Sequence, residues 1–158
     1  MARLYLLRHG IPQHGGGDPP LSDEGVLRME REARGMAHLA LSFDLILTSP
    51  VRRAAQTARI VAEALEGDGT VETVDELGCG CRLAALMEIL KGRKVAGGIL
   101  VVGHQPDLGK ISGDLIGLRG PLGFGRGTLA CIESAAWPPA PPCALIFLLP
   151  GDALEKIG

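Results

Sequence analysis

A short apolar run, Arg3-Leu4-Tyr5-Leu6-Leu7, leads into Arg8-His9-Gly10 near the start of the chain. Such a run predicts a buried β-strand that ends at Arg8-His9-Gly10. Further strand-like runs alternate with segments whose apolar residues recur at helical spacings of three and four. This alternation predicts an α/β domain, with a mainly parallel central sheet covered by helices on both faces in three layers. The further strands are predicted at residues 44–48, 70–74, 98–102, 128–133 and 143–149.

The segments between these strands carry helix-start signals. Ser22 precedes two acidic residues and predicts the N-cap of a helix over residues 22–41. Ser49-Pro50 predicts another helix start, with Ser49 as the N-cap and Pro50 in the first helical position. Shorter helices are predicted at 82–91 and 106–118. Because ligands of open α/β sheets bind beyond the carboxyl ends of the strands, we expect the functional residues there.

Length and composition limit the class of protein. The 158 residues are the size of one domain, which we expect to span residues 1–158. A net charge of −2 and a content of three Phe, one Trp and one Tyr disfavour nucleic-acid binding. The longest clean apolar run, at 143–149, is far shorter than the roughly 20 residues of a membrane helix, and no signal peptide is recognisable. We therefore expect a cytoplasmic protein whose four cysteines stay reduced.

Histidine and arginine residues gather at the ends of three predicted strands. The first strand ends in Arg8-His9, and the fourth is followed by His104. The second ends near Ser49 and continues into a helix that carries Arg53. Because arginine remains charged and matches phosphate oxygens bidentately, these residues predict a site for a phosphate dianion. The N-terminus of the helix after Ser49 is expected to add backbone donors.

Histidine is the natural nucleophile in such a set of residues. A neutral imidazole nitrogen attacks phosphorus and gives a phosphohistidine, which water then hydrolyses. Gly10 directly after His9 permits a tight turn and a close approach of the backbone to a ligand. A single histidine at a strand end also fits a structural, hydrogen-bonded residue, so the residue types alone leave both interpretations open.

Three motifs, in the expected order, resemble those of the histidine phosphatase superfamily. Leu6-Leu7-Arg8-His9-Gly10 resembles its Arg-His-Gly motif, and Val101-Val102-Gly103-His104 resembles the segment with its second histidine. The stretch Ser49-Pro50-Val51-Arg52-Arg53-Ala54-Ala55-Gln56-Thr57 resembles its Ser-Pro-x-x-Arg-x-x-Gln-Thr segment. The short chain is most similar to the SixA-type phosphohistidine phosphatases. The resemblance implies a phosphoglycerate mutase-like fold.

The resemblance also implies a role for each matched residue. His9 corresponds to the catalytic nucleophile. Arg8, Arg53 and His104 correspond to the residues that bind the phosphoryl group and stabilise the charge of its transition state. Ser49 belongs to the implied substrate-binding set.

The choice between the two adjacent arginines follows from motif spacing. The arginine of the superfamily segment corresponds to Arg53 rather than Arg52. Arg53 also shares a helix face with Ser49, Gln56 and Thr57, at spacings of three and four. Arg52 falls on a neighbouring face, where we expect it to be exposed to solvent.

A general acid is harder to assign. Glu76 follows the strand at 70–74, about where mutase-like members carry their acid, but a plain loop fits this segment better. Asp18 in the first loop is a further candidate, and Gln105 excludes the His-Asp pair of the phytase-like branch. An alkoxide leaving group benefits from an enzymatic acid, whereas an imidazole is protonated near neutral pH without one. The sequence therefore favours phosphohistidine as the substrate group.

The predicted function is dephosphorylation of a histidine-phosphorylated protein, in signalling or phosphotransfer, through a covalent phosphohistidine intermediate. Two alternatives remain open: a small-molecule phosphomonoesterase of the same superfamily, and a non-catalytic module that binds a phosphorylated ligand. The expected partner is a phosphohistidine-bearing protein domain or a small phosphorylated molecule, with no nucleic acid and no membrane. No metal or cofactor is implied, because protein groups supply the positive charge.

Overall fold

Strands and helices alternate along the chain in the computed structural model, which describes residues 1–66, 69–93 and 97–158. The strands are β1 (Ala2–Arg8), β2 (Phe43–Thr48), β3 (Thr70–Thr73), β4 (Gly98–Gly103), β5 (Leu129–Ser134) and β6 (Ala144–Leu149). The helices are α1 (Asp23–His38), α2 (Arg52–Ala64), α3 (Leu83–Lys91), α4 (Asp107–Ile116) and α5 (Gly151–Ile157), with a 3-10 turn at Asp75–Leu77. Within the described ranges, no helix combines the length and the apolar character needed to cross a membrane.

The strands form one sheet in the order β3-β2-β4-β1-β5-β6. Strands β1 to β4 are parallel to one another. Strand β5 runs antiparallel to both of its neighbours, β1 and β6. The mainly parallel sheet that the sequence predicts is therefore confirmed.

Alternate side chains of β1 point into two separate apolar cores. Leu4 and Leu6 belong to one core and Tyr5 and Leu7 to the other. Helices α3 and α4 cover the first core, and α1, α2 and α5 cover the second. Each fully buried leucine adds about 1.5–3 kcal/mol to the free energy of unfolding relative to an exposed one. Burial of these side chains therefore stabilises the packing of helices on both faces of the sheet. The predicted three-layer α/β/α arrangement is confirmed.

Helix α1 begins where the sequence predicts and ends earlier. The Ser22 hydroxyl accepts a hydrogen bond from the Gly25 N–H at 3.0 Å and caps the helix. The predicted helix extends to residue 41, but α1 ends at His38. Ala40 has a φ of 57°, a left-handed conformation that cannot continue a right-handed helix.

The predicted start of α2 is wrong. Ser49 is not its N-cap and Pro50 is not in its first turn, because the helix begins at Arg52 with Val51 as the N-cap. The Ser49 hydroxyl instead accepts the Val51 N–H at 3.2 Å, in a turn that precedes the helix. The Arg52 N–H donates to Asp18 Oδ1 at 3.0 Å, so a carboxylate from the first loop already occupies the helix N-terminus.

The carboxyl ends of β2, β4 and β1 lie side by side at one edge of the sheet. Backbone pairing continues past the strand ends, since the His9 N–H donates to Gly103 O at 3.1 Å and the Ser49 N–H to Val102 O at 3.2 Å. These bonds fix the positions of His9 and Ser49 relative to β4, and His104 follows β4 directly.

Candidate active site

His9 stands at the end of β1 with one defined ring tautomer. It is 5% exposed. Its Nδ1 lies 2.7 Å from the Gly10 carbonyl oxygen, and its Nε2 lies 3.2 Å from Nε of Arg53. A carbonyl can only accept and an arginine Nε–H can only donate. Nδ1 therefore carries the ring proton, and Nε2 holds the lone pair that a nucleophile requires.

The surroundings of His9 keep its ring neutral. Burial lowers the pKa of His9 to about 4, and the nearby charges of Arg53 and Arg8 act in the same direction. The hydrogen bond to Gly10 opposes this shift but does not reverse it. At pH 7 the imidazole of His9 is therefore unprotonated at Nε2, the state that attacks phosphorus.

One face of α2 holds the turn that carries the nucleophile. Thr57 Oγ1 accepts the Gly10 N–H at 3.1 Å and donates to the Arg53 carbonyl at 2.8 Å. Gln56 Oε1 accepts the Leu21 N–H at 2.6 Å and ties the helix to the segment that leads into α1. The Arg-x-x-Gln-Thr spacing thus places Arg53 against the nucleophile, and Gln56 and Thr57 against the segment that follows it, residues 10–21.

His104 faces His9 across the site, with ring centroids 5.3 Å apart. Its Nε2 lies 2.8 Å from Ser49 Oγ. The Ser49 hydroxyl has one proton and two lone pairs, so it can accept the Val51 N–H and still either donate to His104 Nε2 or accept from it. His104 Nδ1 is buried and has no hydrogen-bond partner among the described residues. In the tautomer with its proton on Nδ1, His104 has a free donor for a phosphoryl oxygen bound between the two rings.

Two aspartates lie near His104: Asp18, which the sequence already offers as a candidate acid, and Asp107, which was not predicted as a site residue from the sequence. Burial, followed by the charge of Arg53, lowers the pKa of His104, while Asp107 and Asp18 act in the opposite direction. Asp107 Oδ2 accepts the Gly80 N–H at 2.7 Å and links the start of α4 to the loop after β3. The two carboxylates partly offset the positive charge of the site.

Arg8 is held in place by a loop that is distant in sequence. Its Nη1 donates to the Phe124 carbonyl at 3.0 Å, and its Nε is buried without a hydrogen-bond partner among the described residues. Burial lowers the pKa of Arg8, and the charges of Arg126 and Arg53 add to this effect. A guanidinium that is partly desolvated among other guanidiniums is stabilised by an anion, so this part of the site suits a phosphoryl group.

Two of the three sequence motifs, at residues 6–10 and 49–57, lie inside a recognised family region. Residues 4–78 match the family model of the histidine phosphatase superfamily (branch 1). The chain belongs to the histidine phosphatase superfamily. An uncharacterized protein from Picosynechococcus sp. is 38% identical to this histidine phosphatase over an alignment of 114 residues, and the match covers 68% of each chain. The superfamily membership that the motifs predict is confirmed.

Solved structures of other histidine phosphatases share the fold. SixA from Agrobacterium tumefaciens, a proposed phosphohistidine phosphatase, matches with a TM-score of 0.79 and 25% identity over 94% of this chain and 97% of that one. The protein histidine phosphatase SixA in complex with tungstate matches with a TM-score of 0.81 and 20% identity over 96% and 99%. A phosphoserine phosphatase from Entamoeba histolytica matches with a TM-score of 0.72 and 17% identity, over 98% of this chain and 100% of that one. The predicted phosphoglycerate mutase-like fold, the likeness to SixA-type members and the assignment as a phosphatase are confirmed.

The structure gathers the predicted site residues of this histidine phosphatase with the exception of Glu76. Glu76 is exposed in the turn at Asp75–Leu77. It lines a surface depression together with Cys79 and Arg82, and that depression includes neither histidine of the site. Within the described ranges, its carboxylate has no hydrogen bond or ion pair to the residues that the structure brings together, which are Arg8, His9, Ser49, Arg53 and His104.

Proposed function

We propose that this histidine phosphatase removes phosphoryl groups from phosphohistidine in a protein substrate, through a covalent intermediate on His9. The observation that carries the proposal is the pair of hydrogen bonds at His9. Nδ1 donates to Gly10 and Nε2 accepts from Arg53, so the ring is neutral and its lone pair is directed into the site. A module that only binds phosphate has no need of an unprotonated histidine there, so this arrangement favours an enzyme.

In the first step, the lone pair of His9 Nε2 attacks phosphorus. The bond between phosphorus and the substrate imidazole breaks, its electron pair stays on the leaving nitrogen, and solvent supplies the proton. Arg8 and Arg53 bind the phosphoryl oxygens, and His104 Nδ1 donates to another of them. These donors are already oriented and partly desolvated, which strengthens their interaction with the charge of the transition state.

The hydrogen bond from Arg53 to Nε2 of His9 must break before Nε2 can attack phosphorus. In the structure its Nε–H is directed at Nε2, 3.2 Å away. A phosphoryl dianion is a stronger acceptor for a guanidinium than a neutral imidazole is. Substrate binding therefore draws Arg53 onto the phosphoryl group and exposes the nucleophile at the same moment.

In the second step, water hydrolyses the phosphohistidine formed on His9. Water adds to phosphorus, the bond from phosphorus to Nε2 breaks, and its electron pair returns to Nε2. The phosphate product carries the water oxygen, and one water proton is released to solvent. Because the pKa of free His9 is about 4, Nε2 is unprotonated at pH 7 once the bond to phosphorus has broken. His9 is then ready for the next cycle.

The leaving group favours phosphohistidine over an alkyl phosphate. Among the described residues, no carboxylate forms a hydrogen bond to His9, Arg53 or His104. An alkoxide needs a proton from the enzyme as it leaves, whereas an imidazole is readily protonated near neutral pH. We expect the physiological substrate to be a phosphotransfer or signalling domain in the cytoplasm.

The test compares two classes of substrate under one set of conditions. Phosphate release is measured from a phosphohistidine-bearing phosphotransfer domain and from small phosphomonoesters such as phosphoserine and phenyl phosphate. We expect kcat/KM to be highest for the phosphohistidine domain, and we expect His9→Ala to abolish release. Faster turnover of a small phosphomonoester would support the second candidate, a small-molecule phosphatase, and binding without turnover of any substrate would contradict both.

A further inference from the structure

A loop at residues 124–128 is fastened to the two residues that begin the active site. The Gly127 N–H donates to the carbonyls of Arg8 and His9, at 3.1 and 3.2 Å. The Arg8 N–H donates to Thr128 O at 3.1 Å, and the Arg8 side chain donates to Phe124 O at 3.0 Å. The backbone on either side of Arg126 therefore has a fixed position relative to the nucleophile.

Arg126 directly precedes Gly127 and is therefore adjacent to the backbone of Arg8 and His9. It is exposed, and it lines a narrow crevice together with Gly10 and Ile11, the two residues that follow the nucleophile. Its guanidinium is also close enough to Arg8 for its charge to lower the pKa of Arg8, second only to the effect of burial. Arg126 is thus a further positive charge beside the phosphoryl site, outside the sequence motifs.

Arg126 has no counter-charge among the described residues. Arg28, the other arginine of the crevice, pairs with Glu155 at 3.1 Å, whereas Arg126 forms no ion pair within the described ranges. Glu32 also lines the crevice, but its carboxylate lies 3.6 Å from Nε of Arg28 and forms no ion pair with Arg126. A phosphoryl dianion takes up the charges of Arg8 and Arg53 and leaves the charge of Arg126 without a partner.

We propose that Arg126 binds an anionic group of the substrate outside the transferred phosphoryl group. This inference rests on the phosphatase chemistry proposed for His9 and narrows its substrate class. The group is a carboxylate, supplied in a protein substrate by an Asp or Glu side chain that lies next to the phosphohistidine. Arg126 then sets specificity by binding that carboxylate bidentately, while Arg8 and Arg53 bind the phosphoryl group.

The test uses two phosphohistidine peptides that differ only in the residues beside the phosphohistidine. One carries Asp and Glu there, and the other carries Asn and Gln. We expect the wild-type protein to favour the acidic peptide in kcat/KM by about fivefold, the upper range for an ion pair with an exposed arginine. In Arg126→Gln the ratio is expected to fall to near one, through a higher KM for the acidic peptide. Arg126→Lys keeps the charge and is expected to retain part of the preference.

Arg119→Gln is the matched control, because Arg119 is an exposed arginine on the same connection between α4 and β5. It is expected to leave the ratio at its wild-type value. An equal loss for both peptides in Arg126→Gln, or an unchanged ratio, would overturn the proposal. If the wild-type protein cleaves neither peptide, the phosphohistidine assignment fails, and 4-carboxyphenyl phosphate against phenyl phosphate then tests Arg126 by the same ratio.

Discussion

The Nε–H of Arg53 points at Nε2 of His9 across 3.2 Å, while Nδ1 of the same ring is tied to the Gly10 carbonyl at 2.7 Å. The hydrogen bond from Arg53 therefore identifies Nε2 as the nucleophilic atom and at the same time occupies its lone pair. The positive charge of Arg53 also helps burial to keep His9 unprotonated. Substrate binding has to convert this contact into a contact with the phosphoryl group.

Arg53 and its neighbour Arg52 provide a matched pair of variants. Arg53→Ala is expected to lower kcat/KM by about a hundredfold or more, because it removes a charged donor from the transition state. Arg52→Ala is expected to change kcat/KM by less than about twofold, because the Arg52 side chain is exposed and its contact with Asp18 is made by the backbone. Steady-state kinetics on one phosphohistidine substrate checks both, and equal losses would refute the assignment of Arg53.

The protonation of His9 can be followed directly by NMR. Since burial lowers the pKa of His9 to about 4, its ring should remain neutral, with the proton on Nδ1, from pH 8 down to about pH 5. Spectra that correlate ring protons and ring nitrogens of 15N-labelled protein measure this, with His9→Asn to identify the signals. A His9 midpoint near the ordinary histidine value of about 6.5 would contradict this expectation.

Glu32 should make the stability of the protein depend on pH. It is 1% exposed, and burial raises its pKa to about 8. The folded state then keeps a proton that the unfolded state has lost, so stability falls as the pH rises between about 5 and 8, by up to about 1.4 kcal/mol per pH unit. Urea unfolding of wild type and Glu32→Gln at pH 5.5 and pH 8 measures this. We expect the variant to lose less stability over that range.

Glu30→Gln is the control for this experiment, because Glu30 is an exposed carboxylate on the same helix, α1. It should keep the pH dependence of the wild-type protein. The lowered pKa of His9 acts in the opposite direction at lower pH and is common to all three proteins. Parallel pH profiles for wild type and Glu32→Gln would show that Glu32 is not the group responsible.

Glu76 is expected to be dispensable for catalysis. It is exposed and borders a depression that excludes both histidines of the site. Glu76→Gln should therefore change the turnover of phosphohistidine and of phenyl or alkyl phosphates by less than about twofold. Kinetics on both substrate classes checks this. A selective loss for alkyl phosphates would identify Glu76 as a general acid and would favour the small-molecule phosphatase.

The sequence predicts those parts of the site that depend on local spacing. Arg53 can be chosen over Arg52 because helical periodicity places it with Gln56 and Thr57, and these three side chains contact the segments around the nucleophile. His9 and His104 can be placed together because parallel strands end at the same edge of a sheet.

Contacts between distant segments could not be predicted, because local sequence patterns do not encode long-range partners. Arg8 is held by Phe124, which is 116 residues away, and no local pattern encodes such a partner. The Ser-Pro pair resembles a helix start, but a turn to Val51 and the ring of His104 engage the Ser49 hydroxyl instead. Helix α5, of 7 residues, is too short for its apolar periodicity to be recognised.

Trapping of the covalent intermediate tests the central claim most directly. The protein is mixed with a phosphohistidine domain labelled in its phosphoryl group, quenched in alkali within milliseconds and digested, and the labelled peptide is sequenced by mass spectrometry. We expect label on Nε2 of His9, formed and lost at rates compatible with turnover and absent in His9→Ala. Full turnover with no label on His9, or with label on another residue, would contradict the central claim.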